Sequence, residues 1–198
     1  MTRVVLASHN AHKLEELQRI LAPLVPGIEL VGYDGPEPVE SGVSFEENAL
    51  LKARAAVDHT GLPAIADDSG ISVDVLGGCP GIFSARWGGP ARSDVANVEL
   101  LLWQLSDIAD GHRAAAFVCA AALVTPESEE TVRVGRWAGS VLREPRGAGG
   151  FGYDPVFVPD SPGYGRSAAE LTSAEKDAES HRTRAFTALA AEIRHSLT

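Results

Sequence analysis

From Ala114 to Val124 the chain reads AAAFVCAAALV, an apolar run without a charge. From Thr131 to Val141 it reads TVRVGRWAGSV, in which apolar and polar side chains alternate. The first predicts a long central strand and the second its antiparallel neighbour, so a hairpin occupies the middle of the chain. Elsewhere strands alternate with helices. RVVLA (3–7) reads as a buried strand, and Leu14, Leu17, Leu21 and Leu24 recur at helical spacing behind it. Residues 28–33 read as a second strand. Pro36 and Pro38 mark a loop that ends at Glu40-Ser41-Gly42. Ser44 and Glu47 form a capping box before an Ala-rich helix to about His59, which Gly61 and Pro63 stop. PAIAD and ISVDV read as two short strands flanking the pair Asp67-Asp68, and GGCPGIFSARWGGPAR as an irregular loop. Ser93 caps a helix through Leu105, VFV is a short strand, and the chain closes with a short helix, a break near Ser180 and a last helix. This order predicts an α/β or α+β domain with a mixed sheet.

The 198 residues suffice for one good-sized domain. No apolar run approaches the roughly 20 residues of a membrane helix, and the first residues lack a signal-peptide pattern. Cys79 and Cys119 are too few and too far apart for a disulfide framework, and buried free thiols are expected. Together these predict a cytoplasmic protein. The net charge of −10 argues against sequence-independent binding to duplex nucleic acid. A local basic cluster still suits a small anion. Of 17 basic residues only Lys13, Lys52 and Lys176 are lysines, the compact point charges, and these three positions draw attention first.

SHNAHK leads from a strand into a helix with Lys13 in the first turn. Backbone N–H groups there attract phosphate, and a lysine adds charge; a plain Asn10 N-cap explains the same residues. The P-loop pattern is absent. His9 and His12, three apart without a third ligand nearby, are expected in solvent rather than on a metal. GAGGFG matches a dinucleotide fingerprint in letters only, because Pro155 disfavours the helix such a loop must open. It remains a loop presenting Phe151, Tyr153 and Asp154, suited to a stacked, hydrogen-bonded heterocycle or serving as a strand-entry turn. Asn48 and Lys52 share one helix face, and His181 and Arg182 open the last helix with Lys176 upstream. Asp67 and Asp68 point to opposite faces of a regular strand, so one can serve a site while the other supports it. Mg²⁺ takes one or two carboxylates plus phosphate oxygens, and Glu40, in its own Pro/Gly-bounded loop, is a candidate second carboxylate. A surface turn would also place two acids together, but these flanks are too apolar for it.

SHNAHK, SFEENALLKA, AIADDSG, GCPGIFSARW, GGFGYDPVF and AELTSAEKDAESHRTRA resemble, in order and spacing, the inosine/xanthosine triphosphate pyrophosphatase family from Val4 to about Leu189. Ser8 replaces the threonine of many members and keeps the hydroxyl. The resemblance implies an α/β fold, an elongated two-lobed single domain over residues 1–198, with a long mixed β-sheet flanked by helices and a central nucleotide cleft. It implies a homodimer that hydrolyses ITP, dITP and XTP to the monophosphate and diphosphate, with Mg²⁺ as cofactor. Ser8, His9, Asn10, Ala11, His12 and Lys13 would hold the triphosphate, and Ser69 would touch the substrate. Asp68, Lys13 and Lys52 would be catalytic, Asp68 and Glu40 would hold the metal, and Asp67 would support them. Phe151 would stack on the base, while Gly152, Tyr153, Asp154, Lys176, His181 and Arg182 would line and read its edge. Two alternatives compete. A metal-dependent phosphatase would want D-x-D-x-T, whereas Ser69 follows the pair directly. A non-catalytic nucleotide-binding module leaves Asp68 and Glu40 idle.

Overall fold

β1 (Thr2–Leu6) and β2 (Ile28–Gly32) run parallel, with Val4 opposite Leu30, and α1 (Ala11–Leu21) connects them. In this computed structural model the described residues are 2–9, 11–161 and 165–196, without the side chains of Thr2, Ala11 and His12. The roles expected of Asn10 and of the Ala11 and His12 side chains thus lie outside the described residues. α2 (Phe45–Thr60) leads into β3 (Ala64–Val73), which pairs in parallel with β1, Leu6 opposite Ile65. α3 (Asp94–Gln104), β4 (Ala114–Val124), β5 (Glu130–Val141) and β6 (Phe157–Pro159) follow, then α4 (Ser173–Glu179) and α5 (His181–Ser196). β6 lies antiparallel to β5. The order β2-β1-β3-β4-β5-β6 is the mixed sheet of an α/β fold. No helix among the described residues is long and apolar enough to cross a membrane.

Four local expectations change. The two strands expected around the acidic pair are one strand, β3, and the pair lies inside it. The irregular loop after it contains a 3₁₀ helix, Gly81–Arg86, with Phe83 at the surface beside Arg86 and Trp87 packed on the core. Ser44 caps α2 as expected, but the Glu47 carboxylate accepts from the Val43 N–H instead of closing the box on Ser44. Both cysteines are free; Cys119 is buried and Cys79 only half-buried.

The chain forms two compact units: residues 1–68, 119–135 and 181–198, and residues 69–118 and 136–180. In the first unit, Ile65 of β3 packs with Leu17 of α1 and Phe186 of α5. Ala66 packs with Ala49 and Ala53 of α2. Neighbouring residues of β3 therefore face different helices, as the strand's alternation demands. The second unit has its own core, built on Trp137, Phe117 and Phe157, with Tyr153 among its buried members.

Candidate functional site

That alternation decides what the acidic pair does. Asp67 continues the Ile65 face and meets α1 and α5, where Lys13 Nζ donates to its Oδ1 at 2.8 Å and Arg182 Nε approaches its Oδ2 at 3.4 Å. Arg182 Nη1 also donates to both oxygens of Glu16, each at 3.1 Å. Lys13 and Arg182 both sit in first turns, the ends where a helix disfavours cations. Buried carboxylates offset that penalty. Burial pushes the Asp67 carboxyl up, yet Lys13, Arg182 and Lys52 together hold it far below the usual carboxylate range. Burial likewise works against the Arg182 charge, and Asp67 and Glu16 outweigh it.

Asp68 continues the Ala66 face and meets α2. Asn48 Nδ2 donates to its Oδ2 at 3.2 Å, and Lys52 Nζ donates to its Oδ1 at 3.1 Å. The same ammonium donates to Glu40 Oε1 at 2.8 Å. Burial raises the Asp68 carboxyl above its ordinary value; Lys52 and Asn48 pull it down, and Glu40 pushes it further up. For Lys52, burial pulls the ammonium down, but Asp68, Asp67 and Glu40 more than restore it. Two carboxylate oxygens converging on one ammonium mark a point where a compact cation is welcome. No group of three or more His, Cys, Asp and Glu gathers for a metal among the described residues. A donor set of two carboxylates, completed by water and phosphate oxygens, suits Mg²⁺ and not zinc.

Ser8, half-buried, follows β1, and its N–H donates to the Leu6 carbonyl at 2.8 Å. His9 is exposed, as expected; its ring stacks on Tyr33 at 5.5 Å between centroids, with Nε2 at 3.0 Å from the Gly35 carbonyl. Ser69 follows Asp68 on β3 and is half-buried. His181 is buried beside Arg182 at the start of α5.

In the second unit a different group assembles. Phe151 stands 60% exposed on the glycine-rich loop, and Lys176 Nζ lies 4.8 Å from its ring centroid. Lys176 donates to Asp154 Oδ2 at 2.5 Å, and that oxygen also accepts from the Phe151 N–H at 2.9 Å. Gly150 has φ of 70°, and a Cβ there would lie 2.1 Å from Asp154 Oδ2, so the turn requires glycine. The Gly152 N–H donates to Asp94 Oδ2 at 2.9 Å. Tyr153 is buried and its hydroxyl donates to the Ser84 carbonyl at 2.9 Å; burial first, then Asp94, raises its pKa. It anchors the loop from beneath, while Phe151 is the aromatic left at the surface.

Sequence reasoning passed over Glu16 and Asp94. Glu16 stands three residues after Lys13, a spacing that shares a helix face, and Asp94 follows the helix-capping Ser93. Either spacing was a usable signal, but their partners Arg182 and Gly152 are distant in sequence.

A carboxylate pair on one strand, each acid with its own lysine, and, in the second unit, an exposed aromatic beside a lysine–aspartate pair are the chemistry-bearing groups of this α/β protein. The chain belongs to the Ham1 family, whose model matches residues 4–192. It is 58% identical over 194 residues to the dITP/XTP pyrophosphatase of Leifsonia xyli subsp. xyli, covering 98% of this chain and 96% of that one. The crystal structure of the nucleoside-triphosphatase, or dITP/XTP pyrophosphatase, of Mycobacterium abscessus matches with a TM-score of 0.78 at 56% identity, covering 95% of this chain and 98% of that one. A HAM1 protein from Coxiella burnetii matches with a TM-score of 0.89 at 40% identity, covering 98% of this chain and all of that one.

Proposed function

We propose that residues 1–198 form a single catalytic domain that hydrolyses dITP, ITP and XTP to the monophosphate and diphosphate, cleansing the nucleotide pool. The observation that carries this reading is the convergence of Asp68 Oδ1 and Glu40 Oε1 on one cation position at Lys52. Relatives named dITP/XTP pyrophosphatase support the choice of substrate. Asp68 and Glu40 would hold Mg²⁺, which when bound neutralises phosphate charge and favours loss of diphosphate. Asp68 takes a proton from the attacking water. The water oxygen bonds to the α-phosphorus, and the bond from that phosphorus to the bridging oxygen breaks, with diphosphate leaving. Lys52 supplies charge to the phosphates, with Ser8, His9 and Ser69 contributing polar groups, while Lys13 holds Asp67 on the other face of β3. Asp67, held by Lys13 and Arg182, fixes the strand behind Asp68.

Phe151 stacks on the base. Lys176, oriented by Asp154, offers an N–H donor for the 6-oxo oxygen of hypoxanthine or xanthine, and Gly152 lines this end, with Tyr153 holding the loop from beneath. Adenine presents an amino donor there and leaves the lysine unmatched, a mismatch worth up to roughly 10⁴–10⁵ in specificity. The enzyme works as a homodimer in the cytoplasm, a state that light scattering on the purified protein checks. The deciding assay is incubation with dITP and Mg²⁺. Diphosphate with dIMP is expected. Orthophosphate release points to a phosphatase, and no turnover to a binding module. Asp68→Asn lowers turnover by about 10²–10⁴ with the fold intact; unchanged turnover removes Asp68 from the chemistry.

A further inference from the structure

Asn48 lies on α2, one turn before Lys52, and is 1% exposed. Its carboxamide joins two things the proposed centre needs. Oδ1 accepts from the Gly42 N–H at 2.9 Å, and Nδ2 donates to Asp68 Oδ2 at 3.2 Å. The partners fix which end is which, because an N–H requires an acceptor and a carboxylate a donor. Gly42 ends the Glu40-Ser41-Gly42 stretch, and within it the Ser41 N–H donates to the Val39 carbonyl at 2.9 Å, turning the chain around Glu40. A Cβ on Gly42 would lie 2.7 Å from Asn48 Oδ1 and 2.7 Å from Glu47 Cβ, so glycine alone brings that N–H into reach.

We propose that Asn48 is a positioning residue for the divalent-cation centre, acting through both carboxylates at once. By occupying Asp68 Oδ2 it leaves Oδ1 for the cation position shared with Glu40. By holding Gly42 it keeps the Glu40 loop against α2. This rests on the reading that Asp68 and Glu40 hold Mg²⁺. A merely structural amide would contribute to folding and leave cation affinity alone.

The test measures Mn²⁺ binding to the free protein by electron paramagnetic resonance, beside the Mg²⁺ dependence of dITP hydrolysis, for the parent, Asn48→Ala and Gly42→Ala. Groups that orient metal ligands are worth about 10–100-fold in affinity. Both variants are expected to bind Mn²⁺ more weakly by about that factor and to need correspondingly more Mg²⁺ for half-maximal rate. A folded Asn48→Ala with parental Mn²⁺ affinity overturns the assignment. Where Asn48→Ala does not fold, parental affinity in Gly42→Ala overturns it, because the added methyl, 2.7 Å from Asn48 Oδ1, breaks the loop tie while the Asn48 carboxamide stays in the chain to donate to Asp68. A parent that binds no Mn²⁺ overturns both this inference and the metal reading beneath it. A parent that binds Mn²⁺ without hydrolysing dITP overturns the proposed activity, while weaker Mn²⁺ binding in the variants still supports Asn48.

Discussion

Replacing Asp67 by asparagine keeps the shape of the side chain and removes its charge. The Asp67 side chain is 1% exposed, and so is most of what it holds: the Arg182 side chain is 3% exposed and that of Lys13 24%. Removing one partner of a buried pair costs about 3–5 kcal/mol, because the other charge stays in the interior. Glu16 still accompanies Arg182, and Lys13 is partly wet, so the low end applies, about 3 kcal/mol. For a chain of this size that lowers Tm by about 6–12 °C. Circular dichroism melts in EDTA at pH 7 measure it. Acid adds a second signature. The folded Asp67 carboxyl titrates far below its unfolded value of about 3.9, so its stabilisation is complete above that value and is lost as pH falls towards the folded one. The gap between parent and Asp67→Asn should stay level from about pH 5 to 8 and close below about pH 4, at up to about 1.4 kcal/mol per pH unit. A Tm within about 2 °C of the parent at pH 7 refutes the claim that this face of β3 is held by charge.

Phe151→Ala should raise KM for dITP by roughly 5–150-fold, the equivalent of about 1–3 kcal/mol of base stacking, with Tm unchanged because the ring is largely exposed; steady-state kinetics and a melt check both. Arg113 is buried and donates to the Leu105, Val141 and Leu142 carbonyls. Arg113→Ala leaves these acceptors to find water and should cost about 3 kcal/mol in urea titrations without changing KM for dITP.

The long strands, the caps at Ser44 and Ser93 and the break at Ser180 were legible because their causes are local: periodicity, a hydroxyl at a helix start, a turn. β3 was not, because aspartate is disfavoured in strand interiors and a like-charged pair reads as an interruption. Lys13, Arg182, Asn48 and Lys52 supply the partners that make the continuous strand tolerable, and they arrive from three helices. Opposite orientation of Asp67 and Asp68 followed from strand geometry alone, but which acid faces which helix needs the layers. Tyr153 shows the same limit: beside Phe151 and Asp154 it reads as another base contact, and only packing reveals its hydroxyl bound to Ser84.

The two faces of β3 differ in charge balance, and that difference has a measurable consequence. Among the described residues, Asp67 and Glu16 meet Lys13 and Arg182, two negative charges against two positive. Asp68 and Glu40 meet Lys52, two against one. On the second face these contacts set two carboxylates against one ammonium in partly buried surroundings, an arrangement that favours a further cation or proton, and burial, then Glu40, raise the Asp68 carboxyl. Mg²⁺ should therefore stabilise the folded protein through this face. At about 100 times its dissociation constant the gain is about 2.7 kcal/mol, or about 5–11 °C in Tm. Glu40→Gln removes one of the two carboxylates that meet Lys52 and should abolish most of the shift, while Asp67→Asn, acting on the other face, should lower the starting Tm and keep the shift. Scanning calorimetry with and without Mg²⁺ reads both quantities. Equal Mg²⁺ shifts in the parent and Glu40→Gln would mean that the cation binds elsewhere and that the asymmetry of the strand has no part in recruiting it.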